Sequence, residues 1–166
     1  MPDRKWVFDT VALSNFFLSD STHLLEKRYA KNGIITREVY NELSSGMAVY
    51  PALRAIDRLI ETAVFELASL SSVEHTHYSE LIGHLGKGEA SCIALAKQQG
   101  AVVITDDRMA RKQCQQMNLQ ATGTIGILKA SSLAGDISPA EADEILHGMI
   151  TAGFYSPVRN ISDIVQ

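Results

Sequence analysis

Short apolar runs alternate along the chain with longer segments of helical periodicity. The runs are brief, contain β-branched residues and are bounded by polar residues or glycine, as the strands of a buried sheet are. They cover residues 5–8, 33–35, 63–67, 101–105 and 119–121. Because strands that alternate with helices build βαβ units, this order predicts an α/β fold with a central parallel sheet of about four to five strands.

The segments between these runs carry signals that begin and end helices. The sequences SSVE at 71–74 and SPAE at 138–141 fit the capping box, in which serine and glutamate bond each other's backbone N–H groups. Gly100 stands where a left-handed residue would close the helix that Glu89 opens, and residues 44–46 are expected to end the helix that Thr36 caps. The expected helices are 11–18, 23–31, 37–43, 51–61, 72–81, 89–99, 108–117, 125–132 and 139–149.

Length and composition fit one domain, residues 1–166, with a substantial core, since 46% of the residues are hydrophobic. No apolar run approaches the ~18 residues that a membrane span needs, and the N-terminus lacks the pattern of a signal peptide, so we expect a cytoplasmic protein. The two cysteines, Cys92 and Cys114, are far apart and are expected to be reduced, packed thiols. A net charge of −4 argues against nucleic-acid binding through bulk positive potential and leaves a local basic patch or metal ions.

Acidic residues follow two of the expected strands at the point where each strand ends. Asp9 follows the first strand, and Asp106 and Asp107 follow the fourth. The carboxyl ends of parallel strands lie along one edge of a sheet, where ligands bind. Glu89 at a helix start and Glu42 late in another helix complete the candidate cluster. Such acids repel one another unless a cation neutralises them, and carboxylates without histidine or thiolate suit Mg²⁺ or Mn²⁺.

Each acid also has a purely structural interpretation. Asp106 or Asp107 could cap the helix that follows, and Glu89 could complement a helix dipole. Glu38 and Glu42 are four residues apart and could form a solvated helix face. No single acid is strong evidence, and the repeated placement of acids at strand ends is what indicates a site.

The chain resembles the PIN-domain nucleases, specifically a branch of nucleic-acid-binding proteins close to VapC-type toxins. The resemblance rests on LGKGEASCIALA, VVITDDRMAR, TGTIGILKASSLAGDI and GFYSP between residues 85 and 157, with WVFDT and EVYNEL earlier in the chain. It implies a three-layer α/β/α sandwich and an Mg²⁺- or Mn²⁺-dependent ribonuclease with an acidic cluster. By position the implied residues are Asp9, Glu42, Glu89, Asp106 or Asp107, and a hydroxyl residue, Thr122 or Thr124.

This chain departs from the family pattern at two places. Val11 stands where many relatives have a small polar residue, and the doubled aspartate leaves the fourth ligand open. Glu38 has no support from the motifs.

Basic and polar residues close to the acids are candidates for contacts to RNA. Arg108, Arg111 and Lys112 follow the aspartate pair within about one helical turn and could hold phosphates or stabilise transition-state charge. They could equally be a basic solvated helix face. The turn at Thr122 to Thr124 opens a helix whose N–H groups could receive a phosphate oxygen, or it could be an ordinary helix cap.

The sequence therefore favours an endoribonuclease that hydrolyses RNA phosphodiesters, plausibly the toxin of a toxin–antitoxin pair. A second hypothesis is a catalytically inactive PIN-like module that binds RNA or protein. A third, a phosphotransfer protein, is disfavoured because Val11 replaces the second aspartate that such enzymes carry after the first strand. The family habit also suggests a small antitoxin or a homodimer, held by the apolar helices near residues 11–31 and 49–61.

Overall fold

Five short strands form one parallel sheet in a computed structural model that describes residues 4–165. The strands are β1 (Trp6–Phe8), β2 (Gly33–Thr36), β3 (Phe65–Ala68), β4 (Val102–Ile104) and β5 (Ala121–Thr122). Their order is β3-β2-β1-β4-β5, and every pairing is parallel. With helices flanking this sheet, the predicted α/β architecture is confirmed.

Helices connect the strands and cover the sheet. In the described part of the chain they are α1 (Thr10–Leu18), α2 (Thr22–Tyr29), α3 (Arg37–Gly46), α4 (Ala55–Glu61), α5 (Ser72–Leu81), α6 (Lys87–Gln99), α7 (Arg108–Gln116), α8 (Thr124–Leu133) and α9 (Pro139–Thr151). Both predicted capping boxes are present, and Gly100 has φ 72° at the end of α6. Within residues 4–165, no helix is both long enough and apolar enough to span a membrane.

Several element boundaries differ from the expectations, each for a local reason. Helix α3 continues through the expected break and ends at Gly46, with the Ser45 hydroxyl bonded to the Asn41 carbonyl oxygen inside the helix. Strands β3 and β5 begin later than expected, and in each case a residue with a left-handed φ of 57°, Ala63 or Asn118, follows the preceding helix. The helix expected from residue 51 begins with a 3₁₀ turn, Pro51–Arg54.

The core lies on both faces of the central strand β1. The Phe8 ring stacks on Phe65 with centroids 4.9 Å apart and meets Tyr29 edge to face. Helix α6 contacts β1, β2 and β4 and is buried along most of its length, which explains its apolar composition. Cys92 and Cys114 are both buried free thiols, and burial raises the pKa of Cys92 well above its usual range. The thiols therefore pack as small apolar groups.

Gly33 tests the packing between β2 and β3. A Cβ at this position would overlap the buried Phe65 ring, so Gly33→Ala should lower the free energy of unfolding by about 1–3 kcal/mol. Gly83→Ala is the matched control, because a Cβ there meets nothing within 4 Å. Urea denaturation of both variants measures the difference. Equal stability of the two variants would contradict the packing described here.

Candidate functional site

Asp9 lies at the point where β1 ends, beside the end of β4. Phe8 pairs with Ile104, and the Asp9 N–H donates to the Ile104 carbonyl oxygen at 2.9 Å. The Asp9 side chain is only 2% exposed. Its Oδ1 accepts from the Thr10 N–H at 2.7 Å as the N-cap of α1, and its Oδ2 accepts from the Thr105 hydroxyl at 2.9 Å. Strand pairing thus brings the first predicted acid to the edge where β4 ends.

Glu42 reaches the same edge from α3. Its Oε2 accepts from the Thr10 hydroxyl at 2.6 Å, and its Oε1 accepts from the Gly88 N–H at 2.9 Å. A Cβ at Gly88 would lie 2.8 Å from Glu42 Oε2, so only glycine allows this approach. Glu42 therefore links the start of α1 to the start of α6.

Glu89 occupies the first turn of α6, where a carboxylate complements the positive end of the helix dipole. It is half-buried, and its side chain folds back over Gly86. Burial raises the pKa of Glu89, and the carboxylates of Asp107 and Glu42 raise it further. Glu89 from α6, Asp107 before α7 and Glu42 from α3 therefore act on one another at the same edge.

The two adjacent aspartates point to different partners. Asp106 accepts from the Thr124 N–H at 2.8 Å, the Thr124 hydroxyl at 2.5 Å and the Asn15 amide at 3.1 Å. Asp107 caps α7 by accepting from the Ala110 N–H at 2.8 Å through Oδ2 alone. Both side-chain oxygens of Asp106 thus accept hydrogen bonds, whereas the Asp107 side chain accepts one from the described residues, and its charge raises the pKa of Glu89.

The acids form a cluster in which neighbouring carboxylates raise one another's pKa. Burial raises the pKa of Asp9 to about 7, and the Glu89 and Glu42 carboxylates add to this, while hydrogen bonds from Thr105 and Thr10 oppose it. The ion pairs found in the described residues involve only Asp136 and Glu26, none of the site acids. A cation at this edge would relieve the repulsion.

The residue types of the site suit a hard divalent cation, but their side chains are not arranged to hold one as they lie. Its candidate ligands are carboxylate oxygens, which suit Mg²⁺ or Mn²⁺. Within residues 4–165, however, no three acidic, histidine or cysteine side chains converge tightly enough to hold an ion as they lie. Glu89 is turned back over Gly86, and its reorientation toward Asp9 and Asp107 is the change that ion binding would require.

Basic side chains line a groove next to the acids. Arg108, Arg111 and Lys112 are exposed on α7, and with Asp106 and Gln115 they border a groove of about 810 Å³. The groove also reaches the outermost strand β5. The structure thus brings the three predicted basic residues together on one surface beside the acidic edge.

The two threonines of the predicted turn are placed differently. Thr124 is fully buried, and both its N–H and its hydroxyl donate to Asp106, so neither is free for a phosphate oxygen. Thr122 is half-buried at the end of β5, and Gly126 packs closely on its hydroxyl. Gly123 allows Asp106 to approach this turn, since a Cβ there would overlap the Asp106 carboxylate.

Sequence reasoning missed the residues that hold the acids in place. Thr105 donates to Asp9 and accepts from the Asp107 N–H at 3.2 Å, so one hydroxyl connects two acids. Asn15, 7% exposed, donates to Asp106 and to the Thr124 hydroxyl at 3.1 Å each. A lone amide on the apolar helix α1 and a hydroxyl at the end of an apolar strand were the available signals.

The parallel sheet, with carboxylates at the edge where its strands end, forms an α/β domain. The family model DUF3368, described as a PIN domain, matches residues 5–166, and the chain belongs to this family. A comparison with curated proteins gives no significant match.

Solved structures share this fold at low sequence identity. VapBC-1 from nontypeable Haemophilus influenzae has a TM-score of 0.53 and 16% identity, covering 72% of this chain and 97% of the other. VapBC2 from Rickettsia felis, bound to a DNA fragment from its promoter, has a TM-score of 0.52 and 15% identity. The match covers 71% of this chain and 97% of the other. PAE2754 from Pyrobaculum aerophilum has a TM-score of 0.52 and 15% identity, and the match covers 78% of this chain and 98% of the other. At such identity these similarities show the fold.

Asp9 should make the metal-free protein less stable as pH rises. Its pKa is raised from 3.8 to about 7 in the folded protein, so the folded state holds the proton more tightly than the unfolded state. The resulting stabilisation is present at low pH and is lost between about pH 4 and pH 7. In EDTA, the stability of Asp9→Asn relative to wild type should therefore increase from pH 5 to pH 8, by at most about 3 kcal/mol.

Denaturant titrations at several pH values measure this difference. Asp20→Asn is the control, because Asp20 is exposed and its φ of 54° is one that asparagine tolerates. A difference between Asp9→Asn and wild type that stays constant with pH would contradict the burial and coupling described for Asp9.

Proposed function

We propose that this protein is an Mg²⁺- or Mn²⁺-dependent endoribonuclease formed by a single PIN domain, residues 1–166. The observation that carries the proposal is the buried Asp9, whose pKa is raised to about 7 among other carboxylates. A carboxylate kept in such surroundings is costly unless it serves a cation. PIN domains are usually nucleases, which supports the assignment of this cluster to phosphodiester hydrolysis.

Asp9, Glu89 and Asp107 are the residues that we propose to hold the ion. When bound, a divalent ion activates water and stabilises the leaving oxygen of a phosphodiester. Asp107 is preferred to Asp106 because it keeps Oδ1 without a protein donor and is coupled to Glu89. Asp106 instead fixes the turn that begins α8. Glu42 would position the starts of α1 and α6 through its bonds to Thr10 and Gly88.

The basic groove beside the acids is the proposed contact surface for RNA. Arg108, Arg111 and Lys112 can neutralise phosphates on either side of the bond that is cut. Arginine forms two parallel bonds to a phosphate, so Arg108 and Arg111 can also stabilise charge that develops in the transition state. Thr122 directly follows Ala121, which lines the groove, and it remains a candidate for a sugar or phosphate contact.

The cellular role that we propose is that of a toxin in a toxin–antitoxin pair, acting in the cytoplasm. The similar structures from Haemophilus influenzae and Rickettsia felis are VapBC proteins, which supports a small protein partner here. Val11, Val49 and Tyr50 are more than half exposed on or near the helices expected to bind a partner. These apolar side chains are candidates for the antitoxin interface or for a homodimer.

Cleavage assays with purified protein test the catalytic assignment. Asp9→Asn and Asp107→Asn should each lower RNA cleavage in Mg²⁺ or Mn²⁺ by at least about 100-fold, because each removes charge that holds the ion. Asp20→Asn, at an exposed aspartate, should cleave like wild type. Addition of EDTA should abolish cleavage by every variant.

The same assay separates the enzyme from an inactive binding module. Glu42 and Asp106 already accept hydrogen bonds from protein groups. This observation favours the inactive binding module as a second candidate function. If wild-type protein binds RNA but cleaves none with either ion, and calorimetry finds no ion binding, the inactive module is correct.

The basic groove predicts a separate effect on substrate binding. Arg111→Ala combined with Lys112→Ala should raise KM for RNA about tenfold or more, because two phosphate contacts are lost. The salt dependence of binding should become shallower. Lys97→Ala, at an exposed lysine on α6 away from the groove, should leave KM unchanged. An unchanged KM in the double variant would remove this surface from the RNA path.

A further inference from the structure

A second groove also borders β5, beside α2 and α8 rather than α7. It encloses about 380 Å³ and is lined by Arg4, Trp6, Arg28, Tyr29 and Gln120 among others. Helices α2 and α8 border it, together with the starts of β1 and β4. None of these residues belongs to the acidic site, so the groove has no role in the ion binding proposed above.

The side chains in this second groove pair cations with aromatic rings. The Arg4 guanidinium lies over the Trp6 ring, 5.7 Å from its centroid, and Arg28 lies 5.9 Å from the centroid of Tyr29. The Trp6 and Tyr29 rings contact each other at 5.2 Å. Arg28 is fixed by its ion pair to Asp136 at 3.1 Å, whereas Arg4 is exposed. An exposed guanidinium held beside an indole ring is a cation on which a base can stack.

The two grooves meet at the edge of the sheet. Ala121 lines both of them, and its strand β5 is the outermost strand and only two residues long. The lining residues of the two grooves include five arginines and lysines and one acid, Asp106, and of the five cations only Arg28 forms an ion pair within the described residues. Over the whole chain acids outnumber these bases, 19 to 15. Positive charge is therefore concentrated along a path that begins beside the acidic edge and continues past β5.

We propose that the second groove binds the single-stranded RNA segment that flanks the bond to be cut. This inference rests on the proposed ribonuclease function and adds to it a contact surface remote from the acids. One strand would pass from the α7 groove across β5, with a base stacked on Arg4 and Trp6. A basic groove combined with aromatic side chains is how proteins hold single-stranded nucleic acid without reading its sequence. An acidic peptide would bind to the cations of the groove but would gain little from the Trp6 ring beside Arg4.

Binding of RNA of two lengths tests the proposal. Fluorescein-labelled oligouridines of about 4 and 12 nucleotides would be titrated, with anisotropy as the readout, into protein carrying Asp9→Asn to prevent cleavage. Arg4→Glu should weaken binding of the 12-mer about tenfold and that of the 4-mer less than twofold, because only the longer strand reaches the second groove. Arg111→Glu should weaken both. Arg159→Glu, at an exposed arginine outside both grooves, is the matched control and should weaken neither.

Trp6 supplies an independent readout, since it is the only tryptophan of the chain. Its fluorescence should be quenched by the 12-mer and not by the 4-mer, in protein that carries no change in the second groove. The inference is overturned if Arg4→Glu binds the 12-mer like the Arg159→Glu control, or if the 12-mer binds without changing Trp6 fluorescence. Equal competition by oligoglutamate would also overturn it in favour of an acidic peptide.

The same experiment gives a different result if the proposed ribonuclease function itself is wrong. If neither length of RNA binds and Arg111→Glu has no effect, the proposed ribonuclease surface is itself wrong. If both lengths bind and Arg111→Glu weakens them while Arg4→Glu does not, only the second groove is excluded.

Discussion

The parallel pairing of β1 with β4 is the constraint on which the site depends. Phe8 pairs with Ile104, so the residues that follow, Asp9 and Thr105, meet at the same edge and share a hydrogen bond of 2.9 Å. A shift of one residue in this register would turn Asp9 to the other side of the sheet. The rings around Phe8 and the buried helix α6 hold the register in place.

Helix N-termini stabilise the carboxylates that lie together at this edge of the sheet. In a parallel βαβ fold each helix begins at the edge where the preceding strand ends, and its N-terminus carries partial positive charge. Asp9 caps α1, Glu89 lies in the first turn of α6 and Asp107 caps α7. The capping roles and the proposed ligand roles are therefore compatible, because a carboxylate that accepts one backbone N–H keeps lone pairs for an ion. The pKa of Asp9 is nevertheless raised to about 7, mainly because burial disfavours the charged carboxylate.

Much of this arrangement is predictable from local sequence, and the rest depends on contacts between distant segments. Alternating strands and helices predict the sheet and place Asp9 and the aspartate pair at one edge. Glu42 could be named as a candidate acid from its place late in a helix, but its contacts could not be predicted, because its partner Gly88 comes from another helix. The different roles of Asp106 and Asp107 could not be predicted, since either residue can cap α7 and only Asn15 and Thr124, distant in sequence, distinguish them.

Charge is divided between neighbouring surfaces in this protein of net charge −4, with acids at the strand ends and bases in the groove beside β5. The central claim is that one divalent ion binds among Asp9, Glu89 and Asp107. Anomalous diffraction from crystals soaked in Mn²⁺ tests it most directly. The account predicts one Mn²⁺ peak within coordination distance of these three carboxylates, with Glu89 turned away from Gly86. At saturating Mn²⁺, a peak elsewhere on the molecule, or no peak at all, would contradict it.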